Sequence, residues 1–90
     1  DSEQRDLREG AIGALMALGD PRAVKPIAEA VDTKDTGLLR IAIDAAVELG
    51  GDEAVSWLEF LRDGHGDSSI SQQATRGLVR LRAAGHQTDP

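Results

Sequence analysis

Leu18-Gly19-Asp20-Pro21-Arg22-Ala23-Val24 returns 31 residues later as Leu49-Gly50-Gly51-Asp52-Glu53-Ala54-Val55. At the same offset the preceding Ala11-Ile12-Gly13-Ala14 falls on Ala42-Ile43-Asp44-Ala45. A further shift of 32 lays Ala42 to Leu49 over Ala74-Thr75-Arg76-Gly77-Leu78-Val79-Arg80-Leu81. A period of this length marks a supersecondary unit that cannot bury its apolar face alone and must stack on its neighbours. Two full units, about 5–32 and 36–63, and a half unit at 68–84 are expected, followed by a polar tail at 85–90 that contains His86.

Each unit reads as two helices. In the first, Leu7, Ala11, Ala14, Leu15 and Leu18 recur at three- and four-residue spacing and form one apolar stripe on a helix of about four turns. Gly19 stops this helix; Asp20 offers an N-cap oxygen and Pro21 takes the first helical position. The second helix should run to about Val31 with Ala23, Val24, Ile27 and Val31 inward. Pro26 interrupts it, and a helix-interior proline costs about 3 kcal/mol, so a kink or a first turn that is not α-helical is expected. In the second unit Leu38 to Leu49 is apolar around nearly its whole circumference, broken only by Arg40, Asp44 and Glu48. Such a helix is buried, at the centre of the stack. After the Gly50-Gly51 break, Asp52 is expected to cap a helix that buries Ala54, Val55, Leu58 and Leu61. Ser69-Ile70-Ser71-Gln72 fits a capping box that opens the fifth helix, and Gly85 fits its stop.

The fold class is therefore all-α: an α-solenoid of about five helices in stacked antiparallel pairs, one domain in 90 residues. Aromatic residues are 2% of the chain, so the core must come largely from its 13 alanines and 10 leucines, with little room for a deep self-walled pocket. The absence of cysteine excludes disulfides, thiolate catalysis and cysteine-ligated zinc, and agrees with a cytoplasmic setting. The longest apolar run, Ala11 to Gly19, falls short of a membrane span. Because it begins at Asp1, the segment is expected to be an excerpt of a longer array or a processed product.

The stretches Leu18-Gly19-Asp20-Pro21-Arg22-Ala23-Val24 with Pro26-Ile27, and Asp35 through Leu39-Arg40 and Ala42, resemble the HEAT-like repeats of the phycobilisome-lyase type. The resemblance spans roughly residues 5 to 84. The second unit departs from it with Gly51 in place of an acidic residue and Trp57 in place of proline, and the third with Gln72 where Arg40 would project. It implies a solenoid fold and little about activity, because related repeats serve adaptors, enzyme subunits and chromophore lyases alike. In that architecture the second helix of each unit lines the inner surface. The protein-binding residues are then Arg22, Lys25 and Glu29 in the first unit, with Glu53, Ser56, Trp57 and Phe60 in the second. Trp57 and Phe60 are the only aromatics, and aromatic anchors are common at binding hot spots. The alternative is that they pack across the end of the second unit.

Aligned positions on neighbouring units are expected side by side, which sets Glu9 beside Arg40, Asp44 beside Arg76 and Glu48 beside Arg80. These would form a structural ladder of ion pairs worth about 0 to 1 kcal/mol each. The competing reading, an anion or nucleic-acid site at Arg76, Arg80 and Arg82, sits poorly with a net charge of -6. Asp63-Gly64-His65-Gly66-Asp67 alternates potential metal ligands, yet lacks the ligand count of a calcium loop and reads as a polar connector; no metal and no cofactor are expected. No Ser or Thr stands with a recognisable His base and no phosphate loop occurs, so no catalytic residues are assigned. The function expected is a non-catalytic scaffold or adaptor binding another protein. An accessory or lyase-like subunit holding a small ligand or chromophore at Trp57 and Phe60 is the alternative. Neither nucleic acid nor membrane is an expected partner. The uncapped end helices, open around Ile12 and Met16 and around Ala74, Leu78 and Leu81, imply missing neighbours or self-association.

Overall fold

The computed structural model describes residues 2–88, with side chains from 3 to 83. The side chain of His86 and residues 89–90 of the tail lie outside the described residues. The elements are α1 (Ser2–Ala17), a 3-10 turn (Pro21–Ala23) leading into α2 (Val24–Ala30), α3 (Thr36–Leu49), α4 (Asp52–Gly64) and α5 (Ser68–Thr88). No strand occurs among the described residues. No helix among them is long and apolar enough to cross a membrane.

α3 packs on α1, α2, α4 and α5, and α2 packs on α4, whereas α1 and α5 share no comparable interface. The outcome is two layers: α1, α3 and α5 side by side in one, α2 and α4 in the other. The molecule is a slab of 47 × 30 × 13 Å. Leu38, Leu39, Ala42, Ile43, Ala45 and Ala46 of α3 are all buried. All but Ala46 join Ile12, Ile27, Leu58, Leu61, Ile70, Ala74 and Leu78 in one core cluster, and Ala46 packs with Val24 and Ala54 in a smaller one. Full burial of an aliphatic side chain contributes about 1.5–3 kcal/mol over leaving it exposed, so this central helix carries the stack. Ile41 departs from the apolar circumference expected of α3 and is 41% exposed.

The connections follow from local chemistry. Gly19 and Gly50 both take positive φ, 67° and 72°, in the breaks that follow α1 and α3, a conformation glycine adopts at no steric cost. The Asp20 carboxylate accepts the Arg22 N–H at 2.9 Å and caps the 3-10 turn. That turn delays α2 so that Pro26 stands in its first helical turn, where its missing N–H has no partner to lose. The expected non-α turn is thus found, and Ala23, Val24, Ile27 and Val31 are buried beside it.

Four local expectations are corrected. On α1 Ile12, expected to stand open, is buried at 1% exposure, as are Ala74 and Leu78 on α5 at 0% and 1%, whereas Leu7 and Leu18 of the apolar stripe are 70% exposed and Ala11 and Ala14 are open. α1 meets its neighbours along one flank only, and the longest apolar stripe lies on the other. The cap of α4 is Gly51, at φ 91°, and not Asp52, which is already helical. A Cβ on Gly51 would stand 2.9 Å from the Cβ of Pro21, so contact with the preceding unit selects glycine there. α5 begins at Ser68, with the Asp67 carboxylate accepting the Ser69 N–H at 2.8 Å, so Asp67 supplies the cap assigned to the Ser69–Gln72 box. α5 also continues through Gly85 to Thr88 instead of stopping at the glycine.

Candidate protein-binding surface

Three residues of the α2 limb, Arg22, Lys25 and Glu29, point to solvent on the side away from Ala23, Val24, Ile27 and Val31. Shifted by 31 they become Glu53, Ser56 and Phe60 of α4, which are exposed in the same way. The six positions are thus exposed at equivalent places on two helices, α2 and α4, that pack on each other. Their chemistry differs in a way folding does not require. Phe60, opposite Glu29 in this register, leaves 64% of its surface to water. Arg22 is held in place by the two oxygens of Asp20, with contacts of 2.8 to 3.2 Å, and keeps 90% of its side chain exposed. The guanidinium beside Asp20 holds that carboxyl below its usual range, so the pair stays charged near neutrality.

Trp57 is placed differently from Phe60. It is half-buried and packs against both apolar clusters, the main one and the smaller Val24–Ala46–Ala54 group. One ring is therefore largely structural and the other free. Neither lines the clefts found between α3 and α5, beside Met16, at Val31 or at Thr75.

None of the ion pairs Glu9–Arg40, Asp44–Arg76 and Glu48–Arg80 forms. The residues that meet across the seams are 29, 30 or 33 apart, not the 31 or 32 of the alignment. Arg5 pairs with Asp35 at 2.7 Å, Arg40 donates to the Ser69 hydroxyl, and Gln73 donates to Asp44 at 3.2 Å and to the Arg40 carbonyl at 3.1 Å. Each seam is thus latched where the next outer helix begins. A long arginine reaches an N-terminal turn whose Asp35 or Asp67 already serves as cap, and Arg5 draws the Asp35 carboxyl down from its ordinary pKa. Sequence reasoning missed Arg5, Asp35 and Gln73 because equal positions were compared, whereas the contacts run one to three residues out of register. The signal available was the aspartate preceding both α3 and α5.

Arg76 and Arg80, together with Arg40, Asp44 and Gln73, line a cleft of about 520 Å³ between α3 and α5. Arg82 pairs instead with Glu59 at 3.5 Å, so the three arginines proposed for an anion site do not act together. In the Asp63–Asp67 loop, Asp63 pairs with Arg62 at 2.8 Å. The His65 Nδ1 accepts the Asp67 N–H at 3.0 Å, which leaves the proton on Nε2 to donate to the Thr33 carbonyl at 2.8 Å. This connector ties the α4–α5 loop to the α2–α3 loop, and its imidazole is engaged at both nitrogens. No group of three or more His, Cys, Asp or Glu suited to a metal occurs among the described residues.

Comparison with curated proteins and with solved structures returned no match to either. A family model described as HEAT repeats matches residues 1–84, which takes in both helix pairs and most of α5. The recurring units, the shared central helix and this match lead to one assignment: the chain belongs to the HEAT repeat family.

Proposed function

We propose that the chain is a non-catalytic protein-interaction module, a scaffold or adaptor of two helix pairs and a half unit. Its contact surface is the solvent face of the α2–α4 layer, with Phe60 as anchor and Arg22, Lys25, Glu29, Glu53 and Ser56 as polar surround. The observation that carries the reading is Phe60: a large aromatic side chain left 64% exposed in a chain that has only one other aromatic, among positions that are otherwise polar. HEAT repeats commonly serve as interaction scaffolds, which supports the same reading. The mixed-sign positions and the net charge of -6 favour a polypeptide over nucleic acid as partner, and no membrane or cofactor enters the proposal. A cytoplasmic setting and the phycobilisome-lyase subtype, which rests on the Leu18–Val24 and Asp35–Ala42 stretches, belong to the proposal as well. A ligand-holding lyase-like role is not favoured, because Trp57 is committed to the core.

The test uses Phe60→Asp, which removes the anchor from an exposed position and leaves the thermal midpoint within a few degrees of wild type. A polypeptide captured by the wild-type chain, then purified, is expected to change Trp57 emission on titration and to bind Phe60→Asp at least tenfold more weakly. Equal binding to both forms would refute the surface. A coloured small molecule retained by the wild-type chain instead would refute the adaptor reading itself.

A further inference from the structure

One set of outer-layer positions changes sign from the first seam to the second. Glu9 on α1 with Asp44 and Glu48 on α3 are equivalent, at offsets of 31 and 32, to Arg40 on α3 with Arg76 and Arg80 on α5. All six are exposed, so packing does not dictate the reversal. The three arginines line the cleft of about 520 Å³ already described, over Ile43, Val47 and Gly77, which are buried or half-buried. Both walls, α3 and α5, belong to this chain, so the cleft is a finished seam and not an end left uncovered. Among the described residues none of the three arginines stands in an ion pair. Arg40 donates to the Ser69 hydroxyl, which holds its guanidinium beside the first turn of α5. Asp44, the only carboxylate lining the cleft, is engaged by the Gln73 amide at 3.2 Å. Glu48 shares a neighbouring cleft with Arg80 without pairing to it. Three cations against one anion leave a local surplus of positive charge in a chain whose net charge is -6.

We propose that this cleft binds an extended acidic segment of a protein partner, whose carboxylates pair with Arg40, Arg76 and Arg80. Charge complementarity names the partner's chemistry, and spacing names its form. Arg76 and Arg80 are one turn apart on α5, about 6 Å along its axis, and Ser69, which holds Arg40, lies about 10 Å before Arg76. Carboxylates at alternate positions of an extended chain stand about 7 Å apart on one face, so three of them cover nearly the length over which the arginines are spread. A guanidinium takes a carboxylate through two parallel hydrogen bonds, a match that such a segment offers at every second residue. The apolar lining of Ile43 and Val47 suits the methylenes of glutamate. Nucleic acid fits less well. No aromatic side chain lines the cleft for a base to stack on, and a polyanion longer than the cleft meets the net charge of -6 outside it. The cleft lies in the outer layer and does not rest on the α2–α4 face proposed above.

The test is a titration of the isotope-labelled chain with the peptide Glu-Ser-Glu-Ser-Glu, blocked at both ends, at about 10 mM salt, where charges act over about 30 Å. Amide shifts are expected to concentrate at residues 40–47 and 69–80, and the affinity to fall at least fivefold at about 0.15 M salt. Gln-Ser-Gln-Ser-Gln should not bind. Arg76→Gln with Arg80→Gln should weaken the acidic peptide at least fivefold with helical circular dichroism unchanged, both side chains being exposed. Arg8→Gln with Lys34→Gln removes the same charge from exposed positions outside the cleft and should weaken it less than twofold. Absence of binding at low salt overturns the proposal. Equal weakening by the two double variants, or tighter binding of an oligothymidylate of equal charge, overturns it as well.

Discussion

Gly13 and Gly77 are both helix-interior glycines, and the stack gives them opposite meanings. A Cβ at Gly13 would meet nothing within 4 Å, so alanine there only removes the backbone entropy penalty of glycine. Gly13→Ala is expected to stabilise the chain by about 0.5–1 kcal/mol, a rise of several degrees in thermal midpoint for a domain of this size. At Gly77 the same methyl would stand 2.8 Å from Val47 Cγ2 and 3.1 Å from Leu58 Cδ1. Val47 is β-branched and has few alternative rotamers, so the overpacking, about 1–3 kcal/mol, outweighs the helix-propensity gain. Gly77→Ala should lower the midpoint in the same circular dichroism melt that Gly13→Ala raises, and a rise for both would show that α5 does not approach α3 and α4 this closely. The alignment of Gly77 with Ala45 already marked a small residue at a seam. How close the seam is could not be read from it, since that depends on side chains from two other helices.

The same division between what periodicity reveals and what contact decides holds for whole elements. α3 was legible because its apolar residues cover most of its circumference, and the helix is surrounded as that pattern demands. α1 was misread because its longest stripe, Leu7 to Leu18, is the face that no neighbour in the chain covers. Caps were misplaced by one or two residues at α4 and α5, where Gly51 answers to Pro21 and Asp67 to Ser69. The cap of α3 yields a test of the seam latch. Asp35 accepts the Leu38 N–H at 3.1 Å and the Arg5 guanidinium at 2.7 Å, and its pKa is lowered chiefly by the hydrogen bond from Arg5. A carboxyl with a depressed native pKa contributes stability that is fully present above its unfolded value of about 4 and is lost as pH falls through the folded value. Asn at position 35 can still cap, since asparagine equals aspartate there, but it cannot form the ion pair. Asp35→Asn is therefore expected to melt slightly below wild type at about pH 7 and to converge with it in acid, below the ordinary carboxylate range. Identical pH profiles for the two chains would show that the latch carries no stability.

At the scale of the molecule, the order of the helices in space separates a stack from a closed bundle of the same elements. The recurrence of the Leu18–Val24 segment made the stack legible, because a period near thirty requires equivalent helices to be neighbours. The candidate binding face was legible to the same extent. Arg22, Lys25, Glu29, Glu53, Ser56 and Phe60 are exposed where the repeat puts them, while Trp57 is drawn inward because its neighbours belong to both apolar clusters. The polar seams were not legible, since their register depends on how far one helix slides along the next. The interaction face, the latches and the open surface of α1 all depend on α3 standing between α1 and α5. Methyl-resolved nuclear Overhauser spectroscopy of the 90-residue chain tests that arrangement most directly. The account predicts contacts from Ile12 to α3 and from Ala74 and Leu78 to α3 or α4, with none within the chain from Leu7 or Ala14 to α5; intrachain contacts joining Leu7 or Ala14 to Ile70 or Leu78 would close the bundle and contradict it.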